Sequence, residues 1–146
     1  MTLESDFASV MEADSDLMDL LTGGVYEAIQ VGEVSRQITP DAFDANKEIQ
    51  PCALVKMGTE IPRGPYVTSV QTPVNIFFYE RGSSVSIDEA MDMVYFLFNG
   101  QKVGDGVWRI EHESSTWNQS DDALDANLCV LRFVAVRLKS VSGSPS

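Results

Sequence analysis

Apolar residues Phe7, Val10, Met11, Leu17, Met18 and Leu21 recur at three- and four-residue steps, a spacing that lays one stripe along a helix. Asp14 falls within that stripe, so the helix is expected to begin or break near Asp14-Ser15-Asp16. Gly23-Gly24 follows, and glycine is free to take the left-handed conformation that closes a helix. The polar stretch from Gln30 to Glu48, with Pro40 and Asn46, predicts a short strand and then a loop.

The middle of the chain reads as strands. Cys52 to Met57 is a short apolar run after Pro51, and the segment TSVQTPVNIFFYE then alternates. Val70, Thr72, Val74, Ile76 and Phe78 share one face; Gln71, Pro73, Asn75, Phe77 and Tyr79 share the other. Proline cannot donate to a ladder, so Pro73 marks an edge position or a bulge. Between the two strands, Gly58 to Tyr66 (GTEIPRGPY) reads as a long, stiffened hairpin connection.

A second helix follows. Ser86 and Glu89 have the spacing of a capping box. Ile87, Ala90, Met91, Val94, Leu97 and Phe98 give a wide apolar stripe, and Asn99-Gly100 supplies the stop. Val103-Gly104-Asp105-Gly106 predicts a tight turn. In VWRIEHE, Trp108, Ile110 and His112 alternate with Arg109, Glu111 and Glu113, as in a half-exposed strand. Ser114 to Asp125 is polar and predicts a connection to a last strand, Leu128 to Leu138, with apolar residues on both faces. The tail VSGSPS is expected to be disordered. One domain is therefore expected over residues 1–139, with a flexible segment 140–146. Its fold class is α+β: a two-layer sandwich in which a mostly antiparallel sheet of four to five strands carries two main helices on one face.

Charge changes the picture more than composition does. The chain of 146 residues has ten Lys+Arg and 22 Asp+Glu, a formal charge of −12. Eight acids precede the first base, Arg36, and only Arg132, Arg137 and Lys139 follow the last acid, Asp125. Such a balance argues against a general binder of nucleic acid or anionic membrane, because both need clustered Lys and Arg. No apolar run reaches the ~20 residues of a membrane span, and the acidic start MTLESDFASV is unlike a signal peptide. The asymmetry leaves two readings open: an ordinary solvated acidic helix beside a basic strand, or opposed faces that meet something of opposite sign, such as another copy of the chain.

Catalytic chemistry finds little to work with. The single histidine, His112, lies between Glu111 and Glu113, but on a strand those carboxylates point away from the imidazole. Asp121, Asp122 and Asp125 lack the glycine-bearing spacing of a calcium loop. Gly104-Asp105-Gly106 precedes a strand, whereas phosphate cradles open helices. Trp108, Trp117, Tyr66, Tyr79 and Tyr95 lack the basic groove of a single-strand binder, and read as core and interface residues. Cys52 and Cys129 sit in apolar runs outside any zinc or CxxC spacing, as buried thiols do. No cofactor, metal site or enzymatic activity is expected. The GTEIPRGPY segment is the exception in character, with Ile61, Arg63 and Tyr66 suited to an interface.

From LLTGGVYEAI through VQTPVNIFFYERG, IDEAMDMVYFLFNGQKV and VWRIEHESS to LCVLRFVAVRL, the order of elements resembles the tail terminator (tail completion, or neck) proteins of long-tailed bacteriophages. The likeness spans about residues 4 to 139 and rests on order and texture, with no unique motif. It implies a hexameric ring that caps the head-proximal end of the tail tube and joins it to the head connector, DNA passing through the hole. Its implied partners are further copies of itself, the tail tube protein and a connector or stopper protein, with no sequence-specific nucleic acid and no membrane. The implied location is the virion neck, after assembly in the host cytoplasm. Within such a ring, Arg132, Arg137 and Lys139 of the last strand, or the loop with Ile61, Arg63 and Tyr66, are the expected contacts. A tail-tube or minor tail subunit, or a small ligand-binding or enzymatic α+β domain, are the alternatives.

Overall fold

The computed structural model describes residues 2–62 and 69–138. Arg63, Tyr66, Lys139 and the expected flexible segment 140–146 lie outside the described residues.

The N-terminal stripe forms two helices, α1 (Leu3–Glu12) and α2 (Ser15–Leu20). The acid inside the stripe explains the break. Asp14 is the N-cap of α2, and its Oδ1 accepts the Leu17 N–H at 3.0 Å, satisfying a donor that a helix start leaves open. Gly24, at φ +96°, turns the chain into β1 (Gly24–Glu27). The strand expected from Gln30 is therefore displaced: it lies ahead of that residue, and Ala28–Val31 is a single helical turn, α3. The reason is pairing, since β1 runs parallel to the start of β2 (Cys52–Met57), with Gly24 opposite Cys52 and Glu27 opposite Val55.

Strands β2 and β3 (Ile61–Pro62) both run antiparallel to β4 (Ser69–Glu80). Met57 pairs Val74 and Ile61 pairs Gln71, so residues 58–60 oppose only Thr72 and Pro73. That is a bulge, and Pro73 sits in it, as its missing donor demands. The Pro73 carbonyl accepts the Gly58 N–H at 2.7 Å. A Cβ on Gly58 would come within 2.9 Å of the Pro73 ring. The expected Gly58–Tyr66 hairpin connection is thus in part sheet: it holds a bulge and then a short strand.

Helix α4 (Val85–Phe98) carries the expected stripe, with Ile87, Ala90, Met91, Val94 and Phe98 buried. Its start differs from the expected Ser86/Glu89 box. Val85 is the first helical residue, and the open N–H groups of Ser86 and Ile87 both donate to Glu80 Oε1, at 3.0 and 3.2 Å. A buried carboxylate at the end of β4 therefore caps the helix from outside it.

The remainder is β5 (Lys102–Val103), β6 (Trp108–Asp121) and β7 (Ala126–Leu138). The β5–β6 turn holds Gly104, Asp105 and Gly106 all at positive φ, as a tight hairpin requires. The polar stretch from Ser114 was expected to be a connection, yet β6 continues through it to Asp121. Its residues are half-exposed or exposed on both faces, so no alternation announced a strand.

The sheet has seven strands in the order β1-β2-β4-β7-β6-β5, with β3 beside β4. This corrects the expected two-layer sandwich of four to five mostly antiparallel strands under two helices. The sheet is larger, mixed through the parallel β1–β2 pair, and curled into a half-barrel. Two register shifts in β6, between His112 and Ser114 and between Thr116 and Gln119, add the local twist that helps a sheet curl. Nor is only one face covered. Phe7, Met11, Leu17, Ile87, Met91 and Phe98 pack with Ile76, Phe78, Leu131 and Phe133 on the helix-bearing face. On the opposite face a second core joins Val34, Phe43 and Ile49 to Cys52, Leu54, Tyr79 and Leu124.

Candidate functional site

That second core covers only one end of its face. Alternate positions of β2, β4, β7 and β6 point there in rows fixed by register. Cys52–Tyr79–Leu128 and Leu54–Phe77 lie beneath the 28–50 segment, and Val130, also buried, completes the second row. The next row is Lys56–Asn75–Arg132–Ser114, followed by Pro73–Val134–Glu111 and Gln71–Val136–Arg109. No residue of these three rows is buried. Ile61 and Leu138, at the far end, are 44% and 78% exposed. The sheet thus presents an open half-face in which three cations, Lys56, Arg109 and Arg132, and one acid, Glu111, surround valine and proline.

These charges differ in how they are held. Arg132 donates to Thr116 Oγ1 at 2.6 Å and to Ser114 Oγ at 3.5 Å. Arg109 lies 3.9 Å from Glu111, an exposed pair of the kind that contributes little to stability. Neither Lys56 nor Arg132 has an acidic partner among the described residues.

The helix side is opposite in sign. Helices α1, α2 and α4 contain eight Asp and Glu and no Lys or Arg. Along α4, Val85, Glu89, Asp92 and Phe96 are all exposed, and their spacing puts them on one stripe. Val85 and Phe96 are 73% and 76% exposed.

The expected interface residues that are described, Ile61, Arg132 and Arg137, divide between these surfaces. Ile61 and Arg132 lie on the open half-face. Arg137 does not join them: an odd position on β7, it faces the helix side, stacks over Trp108 at 4.9 Å and pairs with Glu60 at 3.3 Å. Lys56 and Arg109 were missed, because only register places them beside Arg132.

Other candidates resolve into structure. His112 sits between Tyr95 and Phe133, at 5.0 and 5.9 Å between ring centres, and its Nε2 is 2.9 Å from Ser115 Oγ. Asp121 Oδ1 accepts the Leu124 N–H at 3.0 Å in the β6–β7 turn, and Asp125 pairs with Arg81. Cys52 and Cys129 are free and buried, in cores on opposite faces of the sheet. Burial pushes the Cys52 thiol up to about 12, so it stays protonated and unreactive at neutral pH. A depression of about 700 Å³ is an open groove lined by Asp44, Glu48, Asp121 and Asp125 around Arg81. It brings together no nucleophile and base.

No protein-family model matches the sequence, and no curated protein matches it. Among solved structures, a chain in the virion of the native gene transfer agent (GTA) particle has the same fold. The TM-score is 0.64 at 15% identity, over 94% of this chain and 95% of that one. No described helix is long and apolar enough to cross a membrane.

Proposed function

We propose that this chain is a non-enzymatic structural protein of a virion, and within that class a tail terminator. In this reading it forms a ring, hexameric by resemblance to that family, at the head-proximal end of a tail tube. The ring stops tube growth and meets the head connector, and DNA passes through its centre. The observation that carries the reading is the match, over nearly the whole of both chains, to a chain of a GTA virion. Two unlike faces of opposite charge support it further. A ring built head to tail joins different patches of successive copies, and closure depends on the rotation per step.

The net charge of −12 suits a passage for DNA, because a lumen without clustered cations releases no counterions and does not hold phosphates. Duplex DNA at physiological salt is expected to show no measurable binding; tight, salt-sensitive binding counts against the reading.

Electron microscopy of the purified chain, and of particles carrying a labelled copy, is the direct test. Discrete rings, and label at the neck, are the expected result. Extended tubes point instead to a tail-tube subunit, and absence of label from particles overturns a virion role.

A further inference from the structure

We infer that the contact between neighbouring copies is made by the exposed stripe of α4 on one copy, seated on the open half-face of the sheet of the next. This rests on the ring reading and specifies its chemistry.

The two surfaces match in sign, in apolar content and in length. The helix offers Glu89 and Asp92 flanked by Val85 and Phe96, with no base anywhere on α4. The sheet offers Lys56 and Arg132 in one row and Val134, Val136 and Leu138 beyond them, while Arg109, two rows on, is offset by Glu111 at 3.9 Å in the row between. Val85 to Phe96 spans about 16 Å at the rise of an α-helix, and Arg132 to Leu138 spans about 20 Å at that of a strand. Glu89 and Asp92 meeting Lys56 and Arg132 would fix register, with Phe96 laid against Val134 and Val136.

Within one copy these surfaces cannot meet, because the sheet lies between them. The helix stripe faces away from the core that α4 makes with Ile76 and Leu131, and the basic rows are on the sheet's other side. Contact with a second copy uses one surface on each and leaves the pair with one free surface of each kind, ready for the next copies. Contact of this type propagates head to tail and cannot close as a two-fold dimer through a single patch.

Charge exchange and cross-linking test the contact on the full chain. Lys56→Glu/Arg132→Glu, and separately Glu89→Lys/Asp92→Lys, should each raise the concentration for assembly by about tenfold or more, since like charges then face each other. The chain carrying all four changes should assemble again. Lys56→Glu alone, which disturbs no hydrogen bond of the fold, should weaken assembly in the same direction. Phe96→Cys/Val134→Cys should give an oxidised ladder of oligomers, with the native thiols protected by burial. If the wild-type chain forms rings, but charge reversal is without effect and no ladder appears, this contact is wrong and the ring reading stands. If the wild-type chain forms no rings, alone at high concentration or in particles, and the double-cysteine chain gives no ladder, both fail.

Discussion

Glu4 and Met57 stand 53 positions apart, and Glu4 Oε2 accepts the Met57 N–H at 3.0 Å. The other oxygen, Oε1, accepts the Ile29 N–H at 2.7 Å, and the residue is 3% exposed. One carboxylate on α1 thus ties the last residue of β2 to the turn after β1. Removing it strands two donors away from water, each costing about 1–3 kcal/mol. Glu4→Ala should destabilise the chain by about 2–4 kcal/mol, and Glu4→Gln, which keeps one acceptor, by about half as much. Urea unfolding checks this; an alanine variant as stable as wild type contradicts it.

The external cap of α4 predicts an inversion of what the local motif suggests. Glu80→Ala should cost about 1–2 kcal/mol, like loss of any good N-cap. Ser86→Ala, at the residue the motif nominates, should stay within about 0.5 kcal/mol of wild type. Equal losses at the two positions would mean that the local box operates after all.

Gly58 approaches the Pro73 ring too closely for a side chain. Gly58→Ala should lose about 1–3 kcal/mol through overpacking. Pro73→Ala should recover part of that loss, so that a double-mutant cycle gives a coupling clearly different from zero. Additive losses would place the clash elsewhere.

Alkali should unfold the chain earlier than its net charge alone implies. Burial raises Cys52 from 9.0 to about 12, and raises Tyr26 and Tyr79 from 10.0 to about 12. These groups ionise first in the unfolded chain, so the unfolded state binds fewer protons and stability falls as pH rises. Their contribution is complete below pH 9 and is lost through the range up to about 12. Unfolding midpoints at pH 8, 9.5 and 10.5 should decline in that order, and Cys52→Ala should flatten the first part of the decline. In the native chain at pH 8, thiol reagents should label neither cysteine at an appreciable rate.

Where burial is one-sided, the sequence was legible. The stripe of α4 and the alternation of β4 each map onto the helix-side core, and both the Asp14 break and the Pro73 bulge follow from what those side chains do to a backbone. Long-range pairing was not legible. Ser114 to Asp121 lacks alternation because both its faces meet water, and β1 is a strand only because β2 lies beside it. The open basic half-face was harder still. An unbroken alternation groups Arg109 and Glu111 with Glu113 and Ser115, but the register shift after His112 puts Ser114 and Thr116 on their face instead. Arg132 therefore meets Thr116, and its grouping with Lys56 needs two further strand registers. Glu80 was missed for a similar reason: a cap donated by a preceding strand has no local spacing.

The same two register shifts govern how copies can aggregate. Among the described residues, β6 has a paired strand on its outer edge only at Trp108 and Arg109, and the rest of its length is a template that another chain could extend. Misplaced residues interrupt that template twice within a few positions, so an incoming strand cannot keep in step along it. Ladder-like growth into ribbons or fibrils is thereby disfavoured even in crowded solution. The curl that shapes the molecule also serves as its protection against unlimited stacking.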